Sequence, residues 1–526
     1  LRVQKLITEH TFLRFLIPQS ASRNLQWITP SLTVGLLPRR RDGSLEHRLK
    51  NLMATDELTS YSASKLAQLI KTRVVSPVEV MQAHLQRIEQ VNPALNAIVT
   101  LAPDAIERAH IAQMQVMSGN DLGPLHGVPI TIKDTIETAR LRTTFGSKLR
   151  AGFVPDNDAA VVARLKAAGA IVLGKTNTPE FAIPYETENA VFGRTNNPRD
   201  LSRTAGGSSG GEAAAIAAHL SPAGLGSDLS GSIRVPAHFC GITGLKPTSG
   251  RVPMQGHVPQ AIGSLALGAC IGPMARSVED LRLLFNAIAD PCHSSANREA
   301  SQAFDRKDDS AIRGLSIGWY ADDGVVPVTA ETSTAVRSVA ALLNGMKAAT
   351  AESVPPGVLE GSRLWVEMFS QSSLEQLREF CQGHEDEMGP AVQALLVAVP
   401  ISAAEGQLRL TAALEERERL RHDLLRWMER HSIIIAPVGS TPAFAHGARR
   451  VEADGKSISV FRAFSYSQTY NVFDLPVVTV PVAHSLAGLP IGVQIIGRPF
   501  EEELVLAVAA VVEREISGWQ GPPGKV

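Results

Sequence analysis

Helix and strand patterns that alternate along one uninterrupted chain predict an α/β protein, a layered sheet covered by helices and built as one large domain. Three observations carry this reading. Amphipathic helical segments are followed closely by apolar strand-like runs. After a long charged helix, the C-terminal part returns to such runs. No internal repeat or linker divides the 526 residues, a length that large α/β enzymes often use for one domain.

Taken in order, the first 52 residues stand apart. Residues 1–50 carry Arg39, Arg40 and Arg41 against only Glu9, Asp42 and Glu46. Their apolar stretch from Phe12 to Ile17 is broken by Arg14, a poor signal-peptide core. The chain opens on Leu1, while Met53 opens well-patterned sequence. Residues 1–52 are therefore expected to be a disordered tail or an over-extended gene start, with an Arg-rich transit peptide as the lesser reading. Residues 53–526 form the expected single domain.

Ser76-Pro77-Val78-Glu79 is a capping box with proline at the first helical position. Met81, Leu85, Ile88 and Val91 follow at helical spacing, and Asn92-Pro93 is expected to stop the helix. Val128 to Lys133 reads as a short strand ending in lysine. Asp158 is placed to cap a helix through Val161, Val162, Leu165 and Ala168, which Gly169 ends before the strand Ala170 to Leu173. A glycine-serine loop, Gly206 to Gly211, feeds a helix from Glu212 to Ala218. The apolar run Ala223 to Gly226 leads into Ser227-Asp228-Leu229-Ser230-Gly231-Ser232. Residues 290–400 are weakly patterned, 402–430 form a long charge-rich helix, and strands follow at 433–435, 477–482 and 491–496.

Composition narrows the function classes. Net charge is 51 basic minus 52 acidic, or −1. That balance excludes a basic nucleic-acid footprint and an acidic solvating chain. Cys240, Cys270, Cys292 and Cys381 lie far apart, so neither a disulfide framework nor a zinc site is indicated. Together with the absence of a convincing export signal, they point to a reducing cytoplasm. No run of about 18 apolar residues suggests a membrane span.

Three places combine lysine, hydroxyls and glycines: Lys133, Ser208-Ser209 and Ser232. Amide hydrolysis needs a nucleophile, a base, an acid for the leaving amine and donors for the oxyanion. A lysine serves as base only when neutral, which burial at the end of an apolar strand favours. The small residues before Ser232 let successive backbone N–H groups face one concavity. Taken singly, a strand-end lysine also reads as a surface charge and GGSSGG as a flexible turn, and spacing leaves both open. Gly207 to Gly211 matches G-x-S-x-G, but Asn196 to Asp200 does not read as the strand that a nucleophile elbow needs. Ser62-Ala63-Ser64-Lys65 matches S-x-x-K without the companion motifs, and no G-K-[ST] completes a phosphate loop.

Longer motifs decide between these readings. Gly206 to Val235 (GGSSGGEAAAIAAHLSPAGLGSDLSGSIRV) and Pro236 to Val252 (PAHFCGITGLKPTSGRV) closely resemble the amidase signature. Gly127 to Asp134 (GVPITIKD), Gly174 to Phe181 (GKTNTPEF) and Leu489 to Pro499 (LPIGVQIIGRP) also resemble this family, over roughly residues 57–515. The resemblance implies an amidase signature fold, a large mixed central β-sheet with helices on both faces. It implies hydrolysis of a small-molecule carboxylic amide, without metal or cofactor, through a Ser–cisSer–Lys triad. Ser232 stands at the acylated nucleophile, Ser208 at the bridging serine and Lys133 at the base. The oxyanion donors fall on the backbone of Leu229, Ser230, Gly231 and Ser232, with Ser209, Asp228 and Arg234 at supporting polar positions.

The family commonly has Gly-Gly before the nucleophile, where this chain has Ser230-Gly231. If that position needed positive φ, Ser230 would cost about 1 kcal/mol or more. Ser465 to Pro476 (SYSQTYNVFDLP) looks more like free-standing amidases than like the glutaminase subunit of a tRNA-dependent amidotransferase. That subunit is one alternative, and a non-catalytic binding protein on the same scaffold is another. Homodimers are common in the family. The apolar stretch within Pro390 to Ala404 is expected as a core helix or pocket wall, ahead of a cap that touches lipophilic amides or a membrane surface.

Overall fold

A computed structural model describes residues 55–119, 122–291, 295–306, 309–397 and 403–516. The expectations for residues 1–52, and for Cys292, lie outside the described residues. Eleven strands form one mixed sheet. In chain order they are β1 Ile98–Leu101, β2 Pro129–Lys133, β3 Ile171–Thr176, β4 Ala223–Asp228, β5 Thr243–Lys246, β6 Cys270–Ala275, β7 Ser316–Trp319, β8 Ala349–Glu352, β9 Ile433–Pro437, β10 Val477–His484 and β11 Pro490–Ile496. Their spatial order is β1-β3-β2-β4-β6-β5-β10-β11-β9-β7-β8. Strands β3, β2 and β4 are mutually parallel, as are β9, β7 and β8, and the remaining pairs are antiparallel.

The helices that bear on the site are α1 Ala63–Lys71, α2 Pro77–Leu95, α3 Ala160–Ala167, α4 Gly210–Ala217, α5 Arg234–Cys240, α6 Val278–Ile288, α7 Gly361–Trp365, α8 Gln371–Cys381, α9 Pro390–Leu396, α10 Ala403–Met428, α11 Ser465–Val472 and α12 Glu502–Glu515. Alternation along the strands sends side chains to opposite faces. Ile433 and Ile435 join the core under α1, α6 and α12, while Ile434 and Ala436 join the one under α10 and α11. The same alternation places Ile130 and Ile132 of β2 in the first core. It turns Thr131 and Lys133 to the opposite face, where α4 lies. No helix among the described residues is long and apolar enough to cross a membrane.

Four local expectations change. Helix α2 does not stop at Asn92-Pro93 but runs to Leu95, ending at Asn96 in the left-handed region (φ 53°). Pro93 sits in the last turn, where its missing N–H removes a single helical bond. The Asn92 side chain instead accepts from the N–H groups of Ala97 and Ile98, each at 2.9 Å, and turns the chain into β1. Asp158 does not cap α3, whose N-cap is Ala159. Its carboxylate is held by the Ala139 N–H and Lys166 Nζ, each at 2.8 Å. A strand, Asp200–Thr204, does precede the glycine-serine loop, but it pairs with Asn196–Asn197, meets Ala445 in an isolated bridge through Arg203, and stands outside the central sheet. Finally, of α9 only Val392 is buried, against Phe145, Phe181 and Met388, while Leu395 is exposed.

Ser62 of the S-x-x-K match is the N-cap of α1, its side chain accepting from the Lys65 N–H at 3.1 Å. That cap accounts for the pattern without chemistry.

Candidate active site

The parallel trio β3, β2 and β4 ends at one edge, and crevices outside the carboxyl ends of such strands are where α/β sheets hold their ligands. Lys133 is the last residue of β2, and Ser227 and Asp228 are the last two of β4. The loop 206–209 then crosses this edge. The Gly207–Ser208 peptide is cis. A Cβ at Gly207 would collide with the Pro184 carbonyl, so glycine is required for the loop to pass.

These elements bring Lys133 to Ser208. Lys133 Nζ donates to Ser208 Oγ at 2.6 Å and to Ser227 Oγ at 3.0 Å. The lysine is fully buried. Burial lowers its pKa from 10.5 to about 7, against the opposing pull of the Asp228 and Glu212 charges. Glu212, on α4, accepts hydrogen bonds from Thr131 and, at 2.8 Å, from Thr176, yet burial pushes its carboxyl up to about 7. Ser209 ties the loop to the next segment, its N–H donating to the Ser232 carbonyl at 3.1 Å. Ser232 Oγ makes no hydrogen bond to any described residue, and its contact with Ser208 is not among those formed.

The segment 228–234 is shaped by a buried ion pair. Asp228 accepts from Arg234 Nη2 at 2.8 Å and Nε at 3.0 Å, from the Gly231 N–H at 2.8 Å, from the Ile233 N–H at 3.0 Å and from Asn471 Nδ2 at 3.0 Å. Burial alone would raise the Asp228 carboxyl, but the Arg234 charge and these bonds hold it well below the usual range. Arg234 also donates to the Ser467 carbonyl at 2.7 Å and to Gln494 Oε1 at 2.8 Å. It thereby joins β4, α11 and β11. Arg234→Met is expected to destabilise the protein by about 3–5 kcal/mol, because it strands a buried carboxylate. The check is the urea unfolding midpoint; a change worth less than about 1 kcal/mol would show that the pair is not structural.

Gly231 has φ 102°, and a Cβ there would lie 2.6 Å from Ser467 Cβ. Ser230 is not among the residues of positive φ, so the strain foreseen for it does not arise. One of the four backbone donors is committed, however, since the Gly231 N–H is held by Asp228. The N–H groups of Leu229, Ser230 and Ser232 have no acceptor among the described residues and remain available to an oxyanion.

Several contributors do not stand out in the sequence. Ser227 lies within the serine-rich run before the nucleophile candidate, but its type gives no reason to single it out. Ser467, Asn471 and Gln494 converge on Arg234 from more than 230 residues away. Ser467 and Asn471 belong to the stretch 465–476, so part of that stretch serves the scaffold around Arg234. Trp365, whose Nε1 donates to the Leu229 carbonyl at 2.7 Å, comes from the weakly patterned region.

The Amidase family matches over residues 79–506. A glutamyl-tRNA(Gln) amidotransferase subunit of Carboxydothermus hydrogenoformans is 36% identical over 487 residues, spanning 87% of this chain and 98% of that protein. Human fatty-acid amide hydrolase 2 is 31% identical over 505 residues, spanning 89% and 91%. The solved structure of 6-aminohexanoate cyclic dimer hydrolase with its substrate superposes with a TM-score of 0.76 at 28% identity, covering 89% of this chain and 99% of that one.

Proposed function

Given that the chain belongs to the amidase signature family, and so is a hydrolase of carbon–nitrogen amide bonds, we propose that it works through an acyl-enzyme on Ser232. Neutral Lys133 takes the proton of Ser208 while Ser208 takes that of Ser232. Ser232 Oγ attacks the amide carbonyl, and the N–H groups of Leu229, Ser230 and Ser232 receive the oxyanion. The proton returns through Ser208 to the leaving nitrogen, the carbon–nitrogen bond breaks, and water releases the acid from Ser232. The observation that carries this reading is the 2.6 Å bond from a fully buried Lys133 to Ser208. The Ser208–Ser232 link is then expected to close with substrate in place, as catalytic hydrogen bonds often do.

Two sources of the amide are open to this site. The sequence relatives favour a glutaminase subunit over a free-standing amidase, the reading that Ser465 to Pro476 suggests. Glutamyl-tRNA(Gln) amidotransferase subunits from Sulfurihydrogenibium and from Roseiflexus also match, at 33% and 37% identity over at least 94% of those proteins. The free-standing reading keeps one structural support. Leu229 and Trp365 are both half-buried against the core under α10 and α11, and Phe461 meets Trp365 edge to face at 5.4 Å, a surface suited to an apolar acyl group. Ammonia release from glutamine, with companion subunits recovered on purification, is the outcome expected of the glutaminase. Rapid cleavage of aryl or fatty acyl amides, with glutamine left intact, would overturn that reading in favour of the free-standing enzyme. A purely binding role finds no support, since the relatives and structural neighbours are amide hydrolases.

A further inference from the structure

Helix α7 reaches the nucleophile segment by two separate routes. The first is direct, from Trp365 Nε1 to the Leu229 carbonyl at 2.7 Å. The second starts one turn earlier on the same helix. Ser362 Oγ donates to Gln468 Oε1 at 2.9 Å, Gln468 Nε2 donates to the Tyr185 hydroxyl at 3.2 Å, and that hydroxyl donates to the Ser230 carbonyl at 2.6 Å. Two consecutive carbonyls of the segment are thus pinned from one helix. The helix is itself seated on α11, where a Cβ at Gly361 would run into Thr469.

Peptide planarity turns these pins into orientation. In a trans peptide, the carbonyl of one residue and the N–H of the next point to opposite sides. Holding the Leu229 carbonyl on Trp365 therefore sets the direction of the Ser230 N–H. Holding the Ser230 carbonyl on Tyr185 likewise sets the Gly231 N–H, which meets Asp228. The Gly231 carbonyl accepts from the Val235 N–H at 2.7 Å, which sets the Ser232 N–H. The Ser230 donor is set by a side chain from outside the signature motifs.

The helix is built to hold that side chain. Just beyond Trp365 it widens into a π turn, Val366–Ser370, before continuing as α8, and such turns occur often at functional sites. Ser264 Oγ donates to the Met368 carbonyl in that turn at 2.7 Å. The Trp365 ring is clasped edge to face by Phe369 at 5.9 Å and by Phe461 at 5.4 Å.

We propose that Trp365 is a positioning residue that aims the Ser230 N–H at the oxyanion, with Tyr185 as the second pin of the same clamp. This rests on Ser232 as nucleophile. The test is the rate of Ser232 phosphonylation by a small alkyl fluorophosphonate, whose phosphoryl oxygen also needs the oxyanion donors. Trp365→Phe keeps the ring and loses the donor. Its maximal labelling rate is expected to fall about tenfold, less than the loss of a whole oxyanion donor causes. The reagent concentration for half-maximal rate should stay within about twofold, a split that loosened packing would not produce. Tyr185→Phe, expected to slow labelling about threefold, repeats the test without touching the tryptophan. Wild-type rates in both variants overturn the clamp alone. A wild-type chain that takes no phosphonate on Ser232 overturns the nucleophile reading, and the clamp with it.

Discussion

Ser232→Ala is expected to lower amide turnover by about a thousandfold or more, the loss typical of removing the nucleophile from a serine relay. The relay acts as a unit, so what remains is only what oriented binding and the backbone donors supply. The same variant should take up no fluorophosphonate, read as the absence of an adduct on intact protein by mass spectrometry. Fold is not at stake. Ser232 Oγ holds no hydrogen bond to a described residue, and the backbone bonds of the segment, Ser209 N–H to Ser232 O and Gly231 N–H to Asp228, survive the change. The thermal midpoint should therefore move by no more than about 2 °C. Turnover that persists in this variant would remove the acyl-enzyme from consideration.

Lys133→Met should produce the second large effect, with opposite signs for activity and stability. On the proposed mechanism the neutral amine is the working form, and burial lowers its pKa to about 7. Activity is expected to rise between about pH 6 and pH 8 and to level off above, as the base loses its proton. The variant loses both the activity and this limb. For stability, burial holds the native pKa below the ordinary 10.5. Between about pH 7 and 10.5 the unfolded chain keeps a proton that the native chain has released, so the lysine's contribution becomes more favourable as pH rises. Below pH 7 the native state carries the whole cost of a buried charge, on the order of a few kcal/mol. Lys133→Met should therefore unfold at a higher temperature than wild type at pH 6, with the gap closing toward pH 10. A midpoint lowered equally at both values would show that Lys133 serves chiefly as structure.

Much of the architecture is legible in the sequence because it is written in local chemistry. The capping box at Ser76 starts α2 where the residues say it should, with both reciprocal bonds formed. The lysine that ends an apolar strand does end β2, buried like the other four residues of that strand. The errors are local rules overridden by neighbours. Asp158 has a helix to cap but meets Ala139 and Lys166 instead. Pro93 reads as a stop, yet the helix runs two residues past it to Leu95. The stretch 465–476 suggests a free-standing enzyme, but Ser467 and Asn471 within it hold Arg234, so that contact says nothing about substrate.

By itself, the sequence determined the helix and strand pattern, the glycines where backbone must pass close, and the identities of the lysine and the serines offered for chemistry. These depend on residues a few positions apart. Tertiary structure alone decided that Lys133 meets a serine 75 residues onward, that Gly231 commits its N–H to Asp228, and that Trp365 reaches the Leu229 carbonyl from 136 residues away. The order of strands in the sheet, not any local preference, brings such distant groups together. The burial that results lowers the proton affinity of Lys133.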